Sequence, residues 1–427
     1  MSKVKTGRYT SEAVAGFNHR TAMEEAARCL LCHDAPCSQG CPAGTNPGDF
    51  IRSIRFRNVK GAVDTIRDGN VMGATCARVC PYDKLCEEAC SRCGIDKPIA
   101  IGKLQRYAME QEKALKMKPL KAPDKKKKGK VACIGSGPAS LACAAELAKE
   151  GYKVTIFEKE AKAGGVCSYG ITASRLPQKV VDQDIATVKG LGVKFEFGKE
   201  IGKKVVVEDL LKDEFDAVFV GTGLWSPKKP QIPGAELKNA LAAVDFLKEA
   251  RKKNGSSKVK GKSVVVIGGG DVAIDCAVTA KLSGAEKVAI WYRRTLEEAP
   301  ANMDEWHYAL SLGVTVTTNM APDMIEGEKK VQFAKFKGRD KKSEARIAAD
   351  YVIFAIGQAP EDMTKIVGTK LTEKGTIKAT KTGKTNVKGV FAAGDIVNGG
   401  NTVVEAVKEG KDAAAEIVAY LDKKGVK

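Results

Sequence analysis

KVACIGSGPASLACAAELAKEGYKVTIFEKE, residues 130–160, reads as a short apolar strand, a glycine turn, a helix and a second strand ending in an acid. Gly135, Gly137 and the small Ser140 fill the three positions of a G-x-G-x-x-G/A turn, with Ser140 the one departure. Glu158 follows Gly135 by 23 residues, close to where an acid holds the ribose of a bound dinucleotide. Each position has a physical job. The first glycine permits the tight turn, the second lets a pyrophosphate approach the backbone, and the helix start favours its negative charge. A glycine turn alone is a weak signal. Strand, turn, helix, strand and acid in register predict a dinucleotide-binding α/β fold.

The pattern recurs at GKSVVVIGGGDVAIDCAVTAKLSGAEKVAIWYRRT, residues 261–295, with Gly268, Gly270 and Ala273 at the three positions. Its second strand ends in Trp291-Tyr292-Arg293-Arg294 rather than an acid. Arginines there accommodate a ribose 2′-phosphate, so this unit leans to NADP over NAD, the alternative being two solvated strand-end charges. DAVFVGTGLWSPKKPQIPG (216–234) and DYVIFAIGQAP (350–360) are further strands running into glycine turns. GVFAAGDIVNGGNTVVEAVKEGKDAAAEI (389–417) adds a strand, then Gly394-Asp395, then a helix starting near Asn401-Thr402. An acid so placed suits the ribityl or phosphate part of FAD, and the helix start can face the flavin ring. Because the second unit lies between two parts of the first, the order implies an FAD domain (128–240 and 350–427) interrupted by a nicotinamide domain (241–349).

Upstream the character differs. CLLCHDAPCSQGCP begins at Cys29 and CARVCPYDKLCEEAC at Cys76, giving C-x2-C-x4-C-x3-C-P and C-x3-C-P-x5-C-x3-C, with Cys93 just beyond. Soft thiolates two to five residues apart select zinc, copper(I) or iron–sulfur clusters. A Cys-Pro closing such a run marks ferredoxin cassettes, in which that cysteine reaches across to the other cluster; Cys41-Pro42 and Cys80-Pro81 both fit. Iron–sulfur is favoured, with structural zinc and free or paired thiols as alternatives. Helix-forming composition over 11–28, near-helical apolar spacing over 46–72 and a helical KPIAIGKLQRYAMEQEKAL after Cys93 predict an α-helical domain over 1–120, too poor in apolar bulk to stand easily without metal. KAPDKKKKGK (121–130) marks its boundary.

At 427 residues there is room for two or three cored domains. Nine of the thirteen cysteines fall between Cys29 and Cys93, a usage that points to a reducing cytoplasm and to metal rather than disulfides. The first twenty residues carry no signal-peptide apolar core, and no apolar run is long enough for a membrane span. The net charge of +19 invites a nucleic-acid reading, but the lysines are dispersed and aromatics make up only 6%, so a solvated lysine-rich surface is expected, with no nucleic-acid or membrane partner.

These residues carry a resemblance covering nearly the whole chain. CLLCHDAPCSQGCPAGT, FIRSIRFRNVKGA, CARVCPYDKLCEEAC and PIAIGKLQRYA resemble the flavin-containing electron-input part of bacterial dihydropyrimidine dehydrogenase and the N-terminal half of the eukaryotic enzyme. GSGPAS, IFEKEAKAGGVCSYGITASRLP, GGGDVAIDCA, YRR and AAGDIVNGGNTVVEAV are similar to those and, more distantly, to the glutamate synthase small subunit. The resemblance implies two [4Fe–4S] clusters. One would be held by Cys29, Cys32 and Cys37 with Gln105 as an unusual fourth ligand, the other by Cys41, Cys80, Cys86 and Cys90. Spacing alone nominates Cys76 in place of Gln105.

For FAD the resemblance implies Gly135, Ser136, Gly137, Pro138 and Ala139, then Glu158 and Lys159, then Gly164, Gly165 and Val166. To these it adds Arg175 and the segment of Gly394, Asp395, Asn401, Thr402, Val403 and Val404. For the nicotinamide it implies Gly268, Gly269, Gly270, Asp271, Arg293, Arg294 and the Ala355, Ile356, Gly357 turn. TLEEAP is shorter than the eukaryotic counterpart and lacks its third basic contact. The expected function is electron input: hydride from NAD(P)H to FAD, then single electrons through the clusters to an FMN-containing partner that reduces uracil or thymine reversibly. A glutamate synthase small subunit is the alternative in the same class, opposed by LCEEAC and IGKLQ. A redox-sensing or scaffold module is the alternative outside it, opposed by the intact turns and full cysteine set.

Overall fold

A computed structural model describes residues 9–124, 127–203, 205–228, 230–363 and 368–426. Lys125 and Lys126 of the expected linker lie outside the described residues. The chain divides into two compact units. One holds Ala15–Cys167, Gln178–Leu224 and Pro360–Lys427; the other holds Trp225–Ala359 with Ser168–Pro177 and the described start of the chain up to Val14. The cysteine-bearing helices and the FAD-type sheet therefore fall in the same unit.

In that unit five parallel strands lie in the order Val390–Ala392, Ala217–Val220, Lys130–Ile134, Lys153–Glu158, Lys194–Phe197. Strand order reverses between Lys130–Ile134 and Ala217–Val220, and at such a switch point the strand ends open a ligand crevice. Gly135 sits there with φ +84°, and a β-carbon on it would meet Gly221 O at 2.8 Å. Only glycine fits both the conformation and the space. Gly410, on the helix Val403–Lys423, would likewise drive a β-carbon into Ala139 O, so the last helix lies tightly on Pro138–Lys149.

The same unit holds the helices His19–Ala27, Pro47–Arg55, Val59–Gly69, Gly73–Val79 and Ile101–Ala114, which pack on one another. The near-helical apolar spacing over 46–72 resolves into two helices, Pro47–Arg55 and Val59–Gly69. Asn46 and Asn58 cap them by accepting from Asp49 N (3.1 Å) and Gly61 N (2.9 Å). Phe50, Ile51, Ile54, Val63 and Ile66 form their buried stripe. The helix predicted over 11–28 is shorter, starting only after the Asn18 capping box. Gly16 precedes that cap, and a β-carbon on it would meet Arg106 Nε at 2.9 Å.

The second unit repeats the first topology. Its parallel strands run Ala240–Ala242, Tyr351–Phe354, Ser263–Ile267, Lys287–Trp291, Thr315–Thr317. Gly268, at φ +150°, would place a β-carbon 2.4 Å from Ala355 O, the counterpart of Gly135 against Gly221. A three-stranded antiparallel sheet, Met320–Glu326, Phe333–Gly338 and Glu344–Ala348, packs on it through Phe336 stacked 4.1 Å from Trp291. No helix among the described residues is long and apolar enough to cross a membrane.

Candidate cofactor sites

The seven cysteines and Gln105 expected as ligands, and Cys76 with them, line two separate cavities. Cys29, Cys32, Cys37 and Cys90 line the first, with Leu30, Ile51, Arg92 and Ile101. Cys41, Cys80 and Cys86 line the second, together with Cys76, Gln105, Thr45, Tyr82 and Val404. This corrects the expected division. Gln105 stands with Cys41, Cys80 and Cys86, not with Cys29, Cys32 and Cys37, while Cys90 stands with those three. The crossing is reciprocal: Cys41, last of the first cassette, reaches the second cavity, and Cys90, last of the second cassette, reaches the first. No three Cys, His, Asp or Glu side chains among the described residues close on one point; the cassette thiols surround voids instead.

The electrostatics follow the same grouping. Burial raises the Cys29 thiol, and raises Cys37 to about 11, with Cys90 and Cys32 adding to both. Cys80 is held well above its usual range, first by its hydrogen bond with Cys76, then by burial and by Cys86 and Cys41. Burial also pushes Cys86 up, with Cys41 contributing. These thiols are costly to ionise without a cation beside them, so metal loading releases protons. The Thr45 hydroxyl, buried in the second cavity, has no protein partner among the described residues. Soft donors around a void, with an orphan hydroxyl facing it, fit an iron–sulfur cluster.

Both candidates for the fourth place reach the second cavity. Gln105, 8% exposed, donates its Nε2 to Gly73 O at 2.8 Å, which leaves its carboxamide oxygen as the atom available to a metal. Cys76 sits on Gly73–Val79, four residues before Cys80 and on the same helical face, and is 2% exposed.

The expected FAD segments meet inside the first unit. Ser136 N donates to Glu158 Oε2 at 3.0 Å, and Gly164 N donates to Ser136 O at 3.0 Å. Gly165, at φ +54°, would put a β-carbon 2.9 Å from Gly137 Cα. Pro138 occupies the first turn of the helix capped by Gly137, and Ala139 lies against Gly394, whose β-carbon would sit 3.0 Å away. Val166 begins a short helix, and Lys159 pairs with Glu361 at 2.6 Å. Ser140 fits the third turn position: its buried hydroxyl has no hydrogen-bond partner among the described residues and approaches Gly221. Gly394 N donates to Glu409 Oε2 at 2.7 Å, and Asp395 accepts from Asn401 N at 3.2 Å while burial raises its carboxyl. Thr402 caps the helix that Val403 and Val404 begin. Open glycine turns and two helix starts on one sheet edge fit a dinucleotide pyrophosphate.

Arg175 is placed elsewhere. It belongs to the other compact unit and pairs with Asp275 at 3.5 Å and with Glu305. In that unit Gly270 caps Asp271–Leu282, and a β-carbon on Gly269 would strike the Tyr292 ring. Asp271 Oδ1 accepts from Asn302 N at 3.2 Å. Arg293 and Arg294 are exposed at the end of Lys287–Trp291. Ile356 and Gly357 follow Ala355 in an open turn, Ile356 exposed and Gly357 at φ +107°. Burial raises Asp275 to about 6 and Glu305 to about 8, against the lowering effect of Arg175.

One group was not singled out from the sequence. Arg67, wholly buried, donates Nε and Nη2 to Glu112 (2.8 and 2.6 Å) and Nη1 to Asp184 (2.6 Å) and Val71 O. Its place in the last turn of a helix reads as an ordinary exposed charge, and nothing local in the sequence marks its two partners.

Residues 129–410 match the pyridine nucleotide-disulphide oxidoreductase family, and residues 6–117 match dihydropyrimidine dehydrogenase domain II, 4Fe-4S cluster. The NAD-dependent dihydropyrimidine dehydrogenase subunit PreT of Escherichia coli O157:H7 is 46% identical over 416 residues, 97% of this chain and 98% of its own. The glutamate synthase [NADPH] small chain of Azospirillum brasilense is 32% identical over 447 residues, 97% of this chain and 92% of its own. Among solved structures, Mycobacterium tuberculosis FprA in complex with NADPH superposes with a TM-score of 0.60 at 19% identity, covering 70% of this chain and 86% of that one. That likeness concerns the fold.

Proposed function

Because the chain belongs to the pyridine nucleotide-disulphide oxidoreductases, in the branch carrying a dihydropyrimidine dehydrogenase 4Fe–4S module, we propose that it is the electron-input subunit of a dihydropyrimidine dehydrogenase. It is a flavin-dependent, NAD(P)-dependent oxidoreductase of the PreT type. The glycine turns and helix starts of the first unit would hold FAD, which when bound would supply hydride acceptance from NAD(P)H, and the two cysteine-lined cavities would hold [4Fe–4S] clusters, which would supply single-electron transfer toward a partner. That partner is an FMN-containing catalytic subunit that reduces uracil or thymine to the 5,6-dihydropyrimidine, reversibly.

The chain's own residues bind and orient. Gly135, Gly137 and the starts of Pro138–Lys149 and Val403–Lys423 receive the FAD pyrophosphate and ring, and Glu158 its ribose. Gly268–Asp271 receives the nicotinamide dinucleotide, and Arg293 and Arg294 a 2′-phosphate where one is present. Cys29, Cys32, Cys37 and Cys90 hold the outer cluster; Cys41, Cys80, Cys86 and Gln105 hold the inner one. The observation that carries this reading is Val404. It begins the helix expected to face the flavin and also lines the inner cysteine cavity, so one residue borders both redox sites. Leu30, on the rim of the outer cavity, is 46% exposed, which suits that cavity to electron exit.

Isolated protein with NADH or NADPH is expected to reduce one-electron dyes while leaving uracil and thymine unchanged. Reduction of a pyrimidine by this chain alone, or no dye reduction by flavin- and iron-loaded protein, would overturn the assignment.

A further inference from the structure

The inner cavity is held from the flavin-type fold by a carboxylate far away in sequence. Asp184 lies on Gln178–Gly190, the helix that links strands Lys153–Glu158 and Lys194–Phe197, and is completely buried. Its Oδ2 accepts from Thr75 N at 2.8 Å and its Oδ1 from Ala74 N at 3.2 Å. Those are first-turn amides of Gly73–Val79, and Met72, which precedes that helix, offers no side-chain cap. The same helix carries Cys76 and ends at Cys80, whose N–H bonds back to Cys76 O at 3.2 Å. Asp184 therefore supplies, from over a hundred residues away, the cap that a local Ser, Asp or Asn would otherwise give.

Its second partner extends the hold. Arg67 bridges Asp184 to Glu112, and Glu112 lies two turns beyond Gln105 on Ile101–Ala114, on the same helical face. Gln183, beside Asp184, donates to Met109 O at 2.8 Å and to Glu112 Oε2 at 2.5 Å. Two of the elements that line the inner cavity, Gly73–Val79 with Cys76 and Ile101–Ala114 with Gln105, are thus fastened to one helix of the flavin-type sheet. Two carboxylates face one guanidinium, with the first-turn amides and Gln183 Nε2 as their other donors.

We propose that Asp184 is a positioning residue for the inner iron–sulfur cluster, fixing the Cys80 helix so that the flavin fold governs how firmly that cluster is held and at what potential. The proposal rests on the reading that the inner cavity holds a cluster. Wild-type protein with only about four irons per FAD would refute that reading rather than this one.

The experiment compares wild-type holoprotein with Asp184→Ala and Asp184→Asn, measuring iron, labile sulfide, FAD and both cluster potentials. Asp184→Ala removes the cap and the charge. Its iron and sulfide are expected to fall by about half on brief chelator exposure while FAD and the outer cluster stay. Asp184→Asn keeps an acceptor oxygen but loses the charge, so it should retain both clusters with the inner potential raised and the outer unmoved. Unchanged iron and potentials in both variants would reduce Asp184 to a packing residue. Loss of FAD and both clusters together would reduce it to a general folding residue. Should Asp184→Ala not fold, the inner potential of Asp184→Asn decides, and an unmoved value overturns the proposal.

Discussion

Replacing Gln105 with cysteine probes the inner ligand set where the structure leaves two side chains within reach. In the wild-type protein a neutral carboxamide, oriented by Gly73 O, is assigned the fourth place, and Cys76, hydrogen-bonded with Cys80, is left outside it. Gln105→Cys adds one negative charge in a site where Gln105 is only 8% exposed, so solvent screening is weak. A unit charge about 4 Å away at an effective dielectric near 20 is worth roughly 4 kcal/mol. Spread over a cluster, and at about 59 mV per tenfold for one electron, that corresponds to a fall on the order of 100 mV in the inner potential. Iron should stay near eight per chain in Gln105→Cys and in Cys76→Ala, and drop on oxidation in Gln105→Ala, where three cysteines remain. Iron analysis with mediator titration reads all three variants. Iron loss in Cys76→Ala with indifference at Gln105 would give the fourth place to Cys76. No change in any variant would make Gln105 an ordinary helix residue.

Three other outcomes are expected. Arg67→Met strands Glu112 and Asp184, 4% and 0% exposed, without their cation and should cost about 3–5 kcal/mol; urea unfolding with a loss under about 1 kcal/mol would contradict this. Removing the charges of Arg293 and Arg294 together should raise KM for NADPH at least about tenfold, since a bond to a charged group is worth roughly 1.5–3 kcal/mol, and KM for NADH far less; equal effects on both nucleotides would make them surface charges. Glu305, raised to about 8 by burial, binds a proton more tightly folded than unfolded, so its contribution to stability is complete below about pH 4.5 and fades as pH rises to about 8. Thermal unfolding across that range should show the decline in wild type and a flatter profile in Glu305→Gln.

What the sequence disclosed was whatever local sterics force. Gly135 and Gly268 must be glycine because their β-carbons would strike Gly221 O and Ala355 O, and that demand is visible in the spacing. The crossing of Cys41 is legible from Cys41-Pro42, but the same mark at Cys80-Pro81 points to the wrong cysteine: Cys80 stays with Cys86 of its own cassette, and Cys90, which no proline follows, is the one that crosses. The resemblance as read groups Gln105 with Cys29, Cys32 and Cys37, whereas the cavity it lines holds Cys41, Cys80 and Cys86. Arg175, implied on FAD by resemblance, sits with Asp275 and Glu305, an ion group made by segments a hundred residues apart. Arg67, Glu112 and Asp184 each look like a charge on a solvated helix face until three helices bring them together.

If the chain carries one flavin and two cysteine-held clusters, FAD, iron and acid-labile sulfide counted in one anaerobically prepared sample come to one FAD with about eight irons and about eight sulfides per chain. Zinc in place of iron, iron without labile sulfide, or a protein lacking flavin would contradict it.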